Sequence, residues 1–559
     1  MQGGETICQT DRKGNVQSLS TFVVGILLTA VVAGPALAQQ PSIEDLMRKI
    51  DALQHRVDQL ESQQKATRTQ AARSRLEAAP TTATAPPAVA AAPATAPAAT
   101  ATAKAESPTP AFETTVPGLL PPEPMGNQFS TEDALRSDLP GVSIRIPGTD
   151  TQVRLYGFAK LSGWYDLNGR NQTDAPTAQT IPLNGSRADM QGGDFGMTAR
   201  FSRIGVDTRT LTSWGTLETR IEGDFGGGSP TSSNALFRLR QAWAELGTEE
   251  FRVLIGQANS LWNEGVFETL IDATNLNQSF VRQAQLRVTG RLASGLIGQV
   301  SLEVPETQYT SAAGVFTPDS SVTGSPSPAF NAAPDLLGRL TYRNDGLVLD
   351  MRGLLRQLSI RTAGTTAAPP ALTRNAPGWG IAVHARLPMR WIADAFGPDE
   401  LIGMAYYGQG IGRYFPGNTS GQDALSNIGL PGSFANFSLN PLPSYGAIVA
   451  YRRFWTPQLR SNISYAYAHE DYPSYALGFT PGSAAALALN SDMQQVFVNL
   501  IWSPFATVHD VTFNSGWLDV GFEYVYTRRD LFGGAAAAGS AGSGLGIANR
   551  ILAAAIARF

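Results

Sequence analysis

The sequence predicts an all-β fold: a transmembrane, antiparallel, up-and-down β-barrel of about 16 strands, preceded by a short N-terminal helical coiled coil. Segments in which polar and apolar residues alternate recur from Gln152 to the carboxyl terminus. Most of the connections between them are alternately short and long. This is typical of barrels with short turns on one side of a membrane and long loops on the other. A soluble β-sandwich shows the same alternation, so the secretion signal, the strand number and the terminal Phe559 together decide for a barrel.

The clearest hairpin lies between Leu336 and Gln357. Read in steps of two, its first strand places Leu340 and Tyr342 on one face and Arg339 on the other. Asp345-Gly346 can take the positive φ values of a two-residue turn. This turn sets a register with three cross-strand pairs, Tyr342 with Leu349, Leu340 with Met351, and Arg339 with Arg352. The hairpin therefore has one apolar face and one arginine face.

Sixteen strands are expected from the same alternation. The segment 197–209 alternates poorly, and the connections near 388–399 and 504–515 are longer than a short turn needs, so a strand is most easily miscounted there. The expected strands lie near 152–166, 197–209, 215–225, 235–247, 250–258, 280–291, 295–304, 335–343, 347–357, 378–387, 400–409, 444–453, 459–469, 492–503, 516–527 and 547–559.

Residues 1–38 are expected to be a signal peptide. Arg12 and Lys13 precede an apolar run, and Ala36-Leu37-Ala38 has the small-residue form of a cleavage site. A membrane anchor is the alternative, but the run is shorter than the roughly 20 residues of a spanning helix.

Three further segments follow the signal peptide. Residues 42–65 carry an a/d heptad seam typical of a coiled coil, and its residues leave a dimer and a trimer both open. Residues 78–124 are rich in Ala, Pro and Thr, which is typical of an extended linker. The barrel domain is expected over 142–559.

Composition argues against several classes of protein. The net charge of −4 over 559 residues, with 16% charged residues, argues against a nucleic-acid partner. Cys8 is the single cysteine, and the four histidines show no metal-ligand spacing. No nucleophile, base and orienting group stand together in the sequence. We therefore expect no enzyme activity, no metal and no cofactor.

Five stretches resemble the DcaP-like trimeric outer-membrane porins: Ile146–Lys160, Ser202–Val206, Glu222–Phe225, Phe237–Trp243 and Ile255–Gln257. The resemblance implies a homotrimer of 16-stranded barrels in the Gram-negative outer membrane and its lipid, with the coiled coil in the periplasm. It also implies a porin for passive diffusion of small anionic solutes such as dicarboxylates. The alternative function is a structural barrel with a non-selective pore, tethered to the periplasm or cell wall through its coiled coil.

The first and last strands of the barrel domain carry residues that indicate contacts with other proteins. The last strand ends at Phe559, which resembles the signal by which the barrel-assembly machinery recognises its substrates. On the outward side of the first strand, the small residues Gly157, Ala159 and Gly163 would allow close approach of neighbouring subunits.

Inward-facing arginines are the expected pore-lining residues, because guanidinium groups offer paired donors to carboxylates. An alternative is that each arginine pairs with a wall carboxylate such as Glu218, Glu222, Asp350 or Glu523 and only stiffens the barrel. The eight candidates are Arg220, Arg238, Arg240, Arg287, Arg339, Arg352, Arg356 and Arg460.

A barrel of this size leaves an aqueous channel, so discrimination requires a segment folded into it. The connection Asn259–Ser279 is the candidate constriction loop, and Glu264, Glu268 and Asp272 are expected to stand opposite the arginines. The alternative places this loop over the mouth or against a neighbouring subunit.

Overall fold

A computed structural model describes the barrel domain. The predicted signal peptide, coiled coil and linker all lie outside the described residues. The described residues are 139, 142–171, 173–228, 235–263, 267–270, 275–317, 321–322, 325–362, 372–419, 422–433, 437–507 and 517–559.

Sixteen long strands form a closed antiparallel barrel, which confirms the predicted barrel fold. Each strand pairs with the next along the chain, and the last pairs with the first. The strands are β1 (Thr151–Asn168), β2 (Arg203–Thr212), β3 (Gly215–Asp224), β4 (Arg238–Gly247), β5 (Phe251–Asn259), β6 (Arg282–Ala293), β7 (Leu296–Glu303), β8 (Asp335–Asn344), β9 (Leu347–Arg361), β10 (Thr373–Pro388), β11 (Glu400–Gln409), β12 (Pro443–Thr456), β13 (Leu459–Glu470), β14 (Asn490–Trp502), β15 (Leu518–Leu531) and β16 (Leu545–Arg558).

Short elements occupy the rims and connections. Three short strands extend the barrel sheet at Val142–Arg145, Asp194–Thr198 and Ala329–Phe330. Two small sheets comprise Tyr309–Ser311, Gly314–Phe316, Ala424–Leu425 and Asn440–Pro441, and Ser321–Val322 with Ser325–Pro326. The 3-10 turns are Ala178–Thr180, Met389–Trp391, Asp394–Phe396, Gly412–Tyr414, Ser474–Gly478 and Gly539–Ala541, and the short α-helices are Pro416–Thr419, Ala484–Leu487 and Gly534–Ala538. No helix in the described ranges is long and apolar enough to cross a membrane.

Most connections at one end of the barrel are short turns and those at the other end are long loops, but 389–399 and 503–517 at the short-turn end are as long as some of these loops. The strand count at the two doubtful connections is correct. The connection between β10 and β11 holds two 3-10 turns, and the described part of the connection between β14 and β15 holds no strand. The long connections are 169–202, 225–237, 260–281, 304–334, 362–372, 410–442, 471–489 and 532–544.

The β8–β9 hairpin has the predicted register. Arg339 pairs with Arg352, and Leu340 pairs with Met351. The turn residues Asp345 and Gly346 have φ values of 44° and 83°. Leu340 and Met351 are exposed on the outside, while Arg339 and Arg352 are buried inside. A side-chain period of two therefore separates the lipid face from the interior.

The segment predicted as a strand at 197–209 divides into two strands. Asp194–Thr198 pairs with the end of β1, and β2 begins only at Arg203. Between them the chain turns, since the amide of Ser202 donates to the carbonyl oxygen of Ala199 at 3.0 Å. This turn explains the poor alternation of the segment.

Phe559 completes the closure of the barrel. Its amide and carbonyl groups exchange two hydrogen bonds of 3.1 Å with Gly157 on β1. A Cβ atom at Gly157 would meet the carbonyl oxygen of Arg203 and would come within 2.7 Å of the Phe559 ring. Gly157 therefore makes room for the carboxyl terminus of its own chain, whereas Ala159 remains exposed on the outer face.

We predict that Gly157→Ala destabilises the barrel by about 1–3 kcal/mol, because the added methyl group displaces closely packed atoms. The matched control is Gly338→Ala on β8, where an added Cβ atom would meet nothing within 4 Å. Its effect should stay within about 0.5 kcal/mol. Guanidinium titration of both variants in detergent micelles measures the difference, and equal unfolding midpoints would contradict it.

Candidate functional site: the barrel interior

The connection 260–281 between β5 and β6, here named the lumen loop, folds back into the barrel. Trp262 is fully buried and belongs with Phe267 to the main apolar cluster of the interior. The Trp262 ring lies 6.0 Å from the rings of both Tyr414 and Phe415, which come from another long loop. Apolar packing thus holds Trp262 and Phe267, two described residues of this loop, inside the barrel.

Hydrogen bonds hold the middle of the lumen loop to distant strands. The amide of Leu270 donates to Glu523 on β15 at 2.8 Å. Asn499 on β14 donates to the carbonyl oxygen of Glu268 at 3.0 Å. Lys160 on β1 donates to the carbonyl oxygen of Leu270 at 2.9 Å. These contacts carry the loop from β5 across the interior.

Two of the predicted arginines hold the start of the lumen loop. Arg339 on β8 donates to the carbonyl oxygen of Asn263 at 2.9 Å, and Arg352 on β9 donates to that of Trp262. Asp350 lies between them, 2.9 Å from Arg339 Nη2 and 3.0 Å from Arg352 Nε. The two arginines are therefore buried between wall and loop, and they share one carboxylate.

Glu268 lies against the wall and makes direct ion pairs, whereas the sequence suggested that it would face the arginines from a distance. Its carboxylate is 2.6 Å from Arg460 on β13 and 3.4 Å from Arg452 on β12. Burial would raise the pKa of Glu268, but these two guanidinium groups hold it below its usual value. The other two predicted acids, Glu264 and Asp272, lie outside the described residues.

Arg356 on β9 binds a second long loop, 410–442. Its Nη1 donates to Asp423 at 2.7 Å, and its Nε lies 3.3 Å from Asp335. The guanidinium group also lies over the Tyr414 ring, 5.6 Å from the centroid. The sequence did not indicate that this loop contributes a carboxylate to the arginine face.

Three predicted arginines cluster on β3 and β4. Arg220 donates to both carboxylate oxygens of Asp207, at 2.8 and 3.1 Å. Arg238 makes two similar bonds to Asp224, at 3.0 and 2.8 Å, and Arg240 donates to the same carboxylate. Two guanidinium groups therefore share Asp224, as two share Asp350.

Arg287 on β6 is fully buried and makes a different set of contacts. Its Nε and Nη2 donate to the side-chain oxygen of Gln285 at 3.0 and 2.6 Å, and Nη2 also donates to the carbonyl oxygen of Asn259. It lies where β5 leads into the lumen loop.

Several interior arginines are not among the eight candidates, and Arg203 and Arg452 are two of them. Arg203 Nη1 lies 3.3 Å from Glu222, and Arg452 donates to Glu400 as well as contacting Glu268. Arg203 opens β2, in the poorly alternating segment. Strand alternation could have identified Arg452, because it shares the inward face with buried positions of β12 such as Ala450.

His384 on β10 is a packed polar member of the wall. Its Nδ1 lies 3.0 Å from Asp350, and its ring lies edge-on to Phe267. Within the described ranges, no three side chains of His, Cys, Asp or Glu are grouped to hold a metal ion.

A closed barrel with an apolar outside, a polar inside and an inward-folded loop defines an outer-membrane β-barrel of the channel class. The sequence model of the family described as "DcaP outer membrane protein" matches residues 138–295, which confirms the resemblance noted above. No curated protein matches the chain.

The fold resembles that of one solved outer-membrane channel. The outer membrane channel DcaP of Acinetobacter baumannii is 21% identical, with a TM-score of 0.54 over 73% of this chain and 97% of that one. A loop L8 deletion mutant of OmpT from Vibrio cholerae is 12% identical, covering 73% and 100%, with a TM-score of 0.42. OmpF of Salmonella typhi in complex with daunomycin is 11% identical, covering 74% and 99%, with a TM-score of 0.40.

We predict that Glu268→Gln lowers the free energy of unfolding by about 3 kcal/mol, because it leaves Arg460 and Arg452 buried with less compensation. The control is Glu249→Gln at the short-turn end, where an exposed carboxylate lies 3.3 Å from Arg291. That change should cost less than about 1 kcal/mol. Denaturant titration in micelles compares the two variants, and equal losses would show that Glu268 does not anchor the loop.

Proposed function

We propose that this protein is an outer-membrane porin for passive diffusion of small anionic, dicarboxylate-like solutes. The supporting observation is an excess of guanidinium groups over carboxylates where β2, β3 and β4 meet: Arg203, Arg238 and Arg240 lie around Glu222 and Asp224. Three guanidinium groups beside two carboxylates leave a net positive charge. Fixed positive charge inside a narrow channel with low-dielectric walls attracts anions and repels cations.

The arginines on β3 and β4 are the better candidates for direct contact with solute. The side chain of Arg238 is 43% exposed and that of Arg220 is 21% exposed, whereas those of Arg339 and Arg352 are 5% and 1% exposed. We infer that the solute path runs along β3 and β4. Arg339, Arg352 and Arg460 then act by holding the lumen loop.

The lumen loop is our candidate for the constriction. Contacts from β1, β8, β9 and β12 to β15 support this role, because they fix the loop at several points of the wall. Glu264 and Asp272 remain the candidate acids at the constriction. The Glu268 ion pairs leave this residue less free to face the arginines across the channel.

We also propose a homotrimer with its N-terminal coiled coil in the periplasm. The exposed small side chain of Ala159 and the half-buried Gly163 on the outer face of β1 support close contact between subunits. Recognition by the barrel-assembly machinery through Phe559 fits its place in the closing strand pair.

Replacement of Arg238 and Arg240 together by Gln should shift the reversal potential in asymmetric salt toward cations, because Asp224 is then left uncompensated. The single-site control is Arg291→Gln at the short-turn end, where the side chain is 42% exposed and lies 3.5 Å from Glu250 as well as near Glu249. Single-channel recording in planar bilayers makes the measurement. An unchanged reversal potential in the double variant would favour the alternative that the arginines only stiffen the wall.

Removal of residues 264–272 should raise single-channel conductance and weaken anion preference, since the loop would no longer reach the opposite wall. The control removes residues 363–371 from another long connection and has the same length. Both variants are recorded in the same salt. Unaltered conductance in the first, or an equal rise in both, would place the constriction elsewhere.

A further inference from the structure

A cavity of about 460 Å³ lies at the long-loop end of the barrel. It is bounded by loops 169–202, 471–489 and 532–544, and Leu183, Leu487 and Arg529 are among its lining residues. Its volume falls within the range of about 300–1,000 Å³ that is usual for small-molecule sites.

Arg529 is the notable lining residue because it is buried without a carboxylate. It lies near the end of β15 and is 5% exposed. Its Nη1 contacts Asn490 Oδ1 at 3.3 Å and the carbonyl oxygen of Leu487 at 3.5 Å, and its buried Nε has no hydrogen-bond partner. Among the described residues, no Asp or Glu oxygen comes within 4.0 Å of Arg529. A buried cation of this kind is costly unless an anion completes it.

The surroundings hold Arg529 in place and leave its charge uncompensated. A Cβ atom at Gly546 would lie 3.3 Å from Arg529 Nε and 2.7 Å from the carbonyl oxygen of Pro182, so the glycine makes room for the guanidinium group. Arg170 also lines the cavity, and its exposed side chain lies 3.4 Å from Asp194. Arg170 therefore has a carboxylate partner, whereas Arg529 has none among the described residues.

We propose that this cavity binds an organic monocarboxylate with a short aliphatic chain. The carboxylate would accept hydrogen bonds from Arg529, because a guanidinium group matches the geometry of a carboxylate. The chain would pack against the apolar residues Ile181, Leu183 and Leu487, which line the same space. This site goes beyond the proposed function, whose solutes are dicarboxylate-like, and its chemistry can be tested separately.

Calorimetric titration of the full-length protein in detergent with sodium butyrate tests the site directly. Arg529→Gln should weaken butyrate binding by about tenfold or more, because a charge-assisted hydrogen bond is lost. The matched control is Arg528→Gln on the adjacent position of the same strand. Arg528 points to the other face and is paired with Asp530 at 2.9 and 3.1 Å, so its loss should leave butyrate affinity unchanged.

Ligand series separate a carboxylate site from a general oxyanion site. Affinity should rise about fourfold for each methylene from acetate to butyrate, because each methylene buries apolar surface. Inorganic phosphate should bind more weakly than butyrate. An affinity for phosphate equal to or above that for butyrate, or no dependence on chain length, would overturn the proposal.

A second variant keeps the test decisive if Arg529→Gln does not fold, which circular dichroism would show. Leu487→Asp places a carboxylate on the short loop helix beside Arg529 and should also weaken butyrate binding by about tenfold. Unchanged affinity in either folded variant would overturn the proposal. Reversal potentials are measured separately, so butyrate binding in a channel without anion preference would refute the proposed function and leave this site standing.

Discussion

Backbone hydrogen bonding between β16 and β1 is the contact on which the rest of the structure depends. Inside a bilayer no water can satisfy a free strand edge, so the sheet must close on itself. The pairing runs from Phe158 with Arg558 to Asn168 with Asn549, and Phe559 adds two bonds to Gly157. Because the closed barrel has no free strand edge, apolar side chains can face the lipid, and the polar side chains of the strands face the interior.

In the interior, charged side chains form ion pairs between segments that lie far apart in the chain. Arg356 binds Asp423, and Arg460 binds Glu268, from different long loops. Buried charges contribute stability only when both partners stay in place. These ion pairs therefore hold loops 260–281 and 410–442 against the wall. The positions of the two loops depend on the strands that carry the arginines.

The strands could be predicted because the residues that define each strand and turn are close together in the sequence. Alternation and the turn Asp345-Gly346 are read within a few residues, and the register of Arg339 with Arg352 follows from the turn alone. The contacts of the interior could not be predicted in this way. No pattern in the sequence links Asp423 to Arg356 or Glu268 to Arg452, because those pairs depend on how two long loops fold. Arg240 lies opposite a register shift between Glu222 and Gly223. Alternation of polar and apolar residues does not predict such a shift.

The lumen loop also has a mechanical consequence. A thin-walled cylinder is most easily deformed by flattening into an ellipse, and a strut across its width resists that deformation. Bonds from the loop to Glu523 on β15 and to Arg339 on β8 make such a strut. We therefore expect the described parts of the loop to oppose flattening of the barrel under lateral pressure from the surrounding lipid.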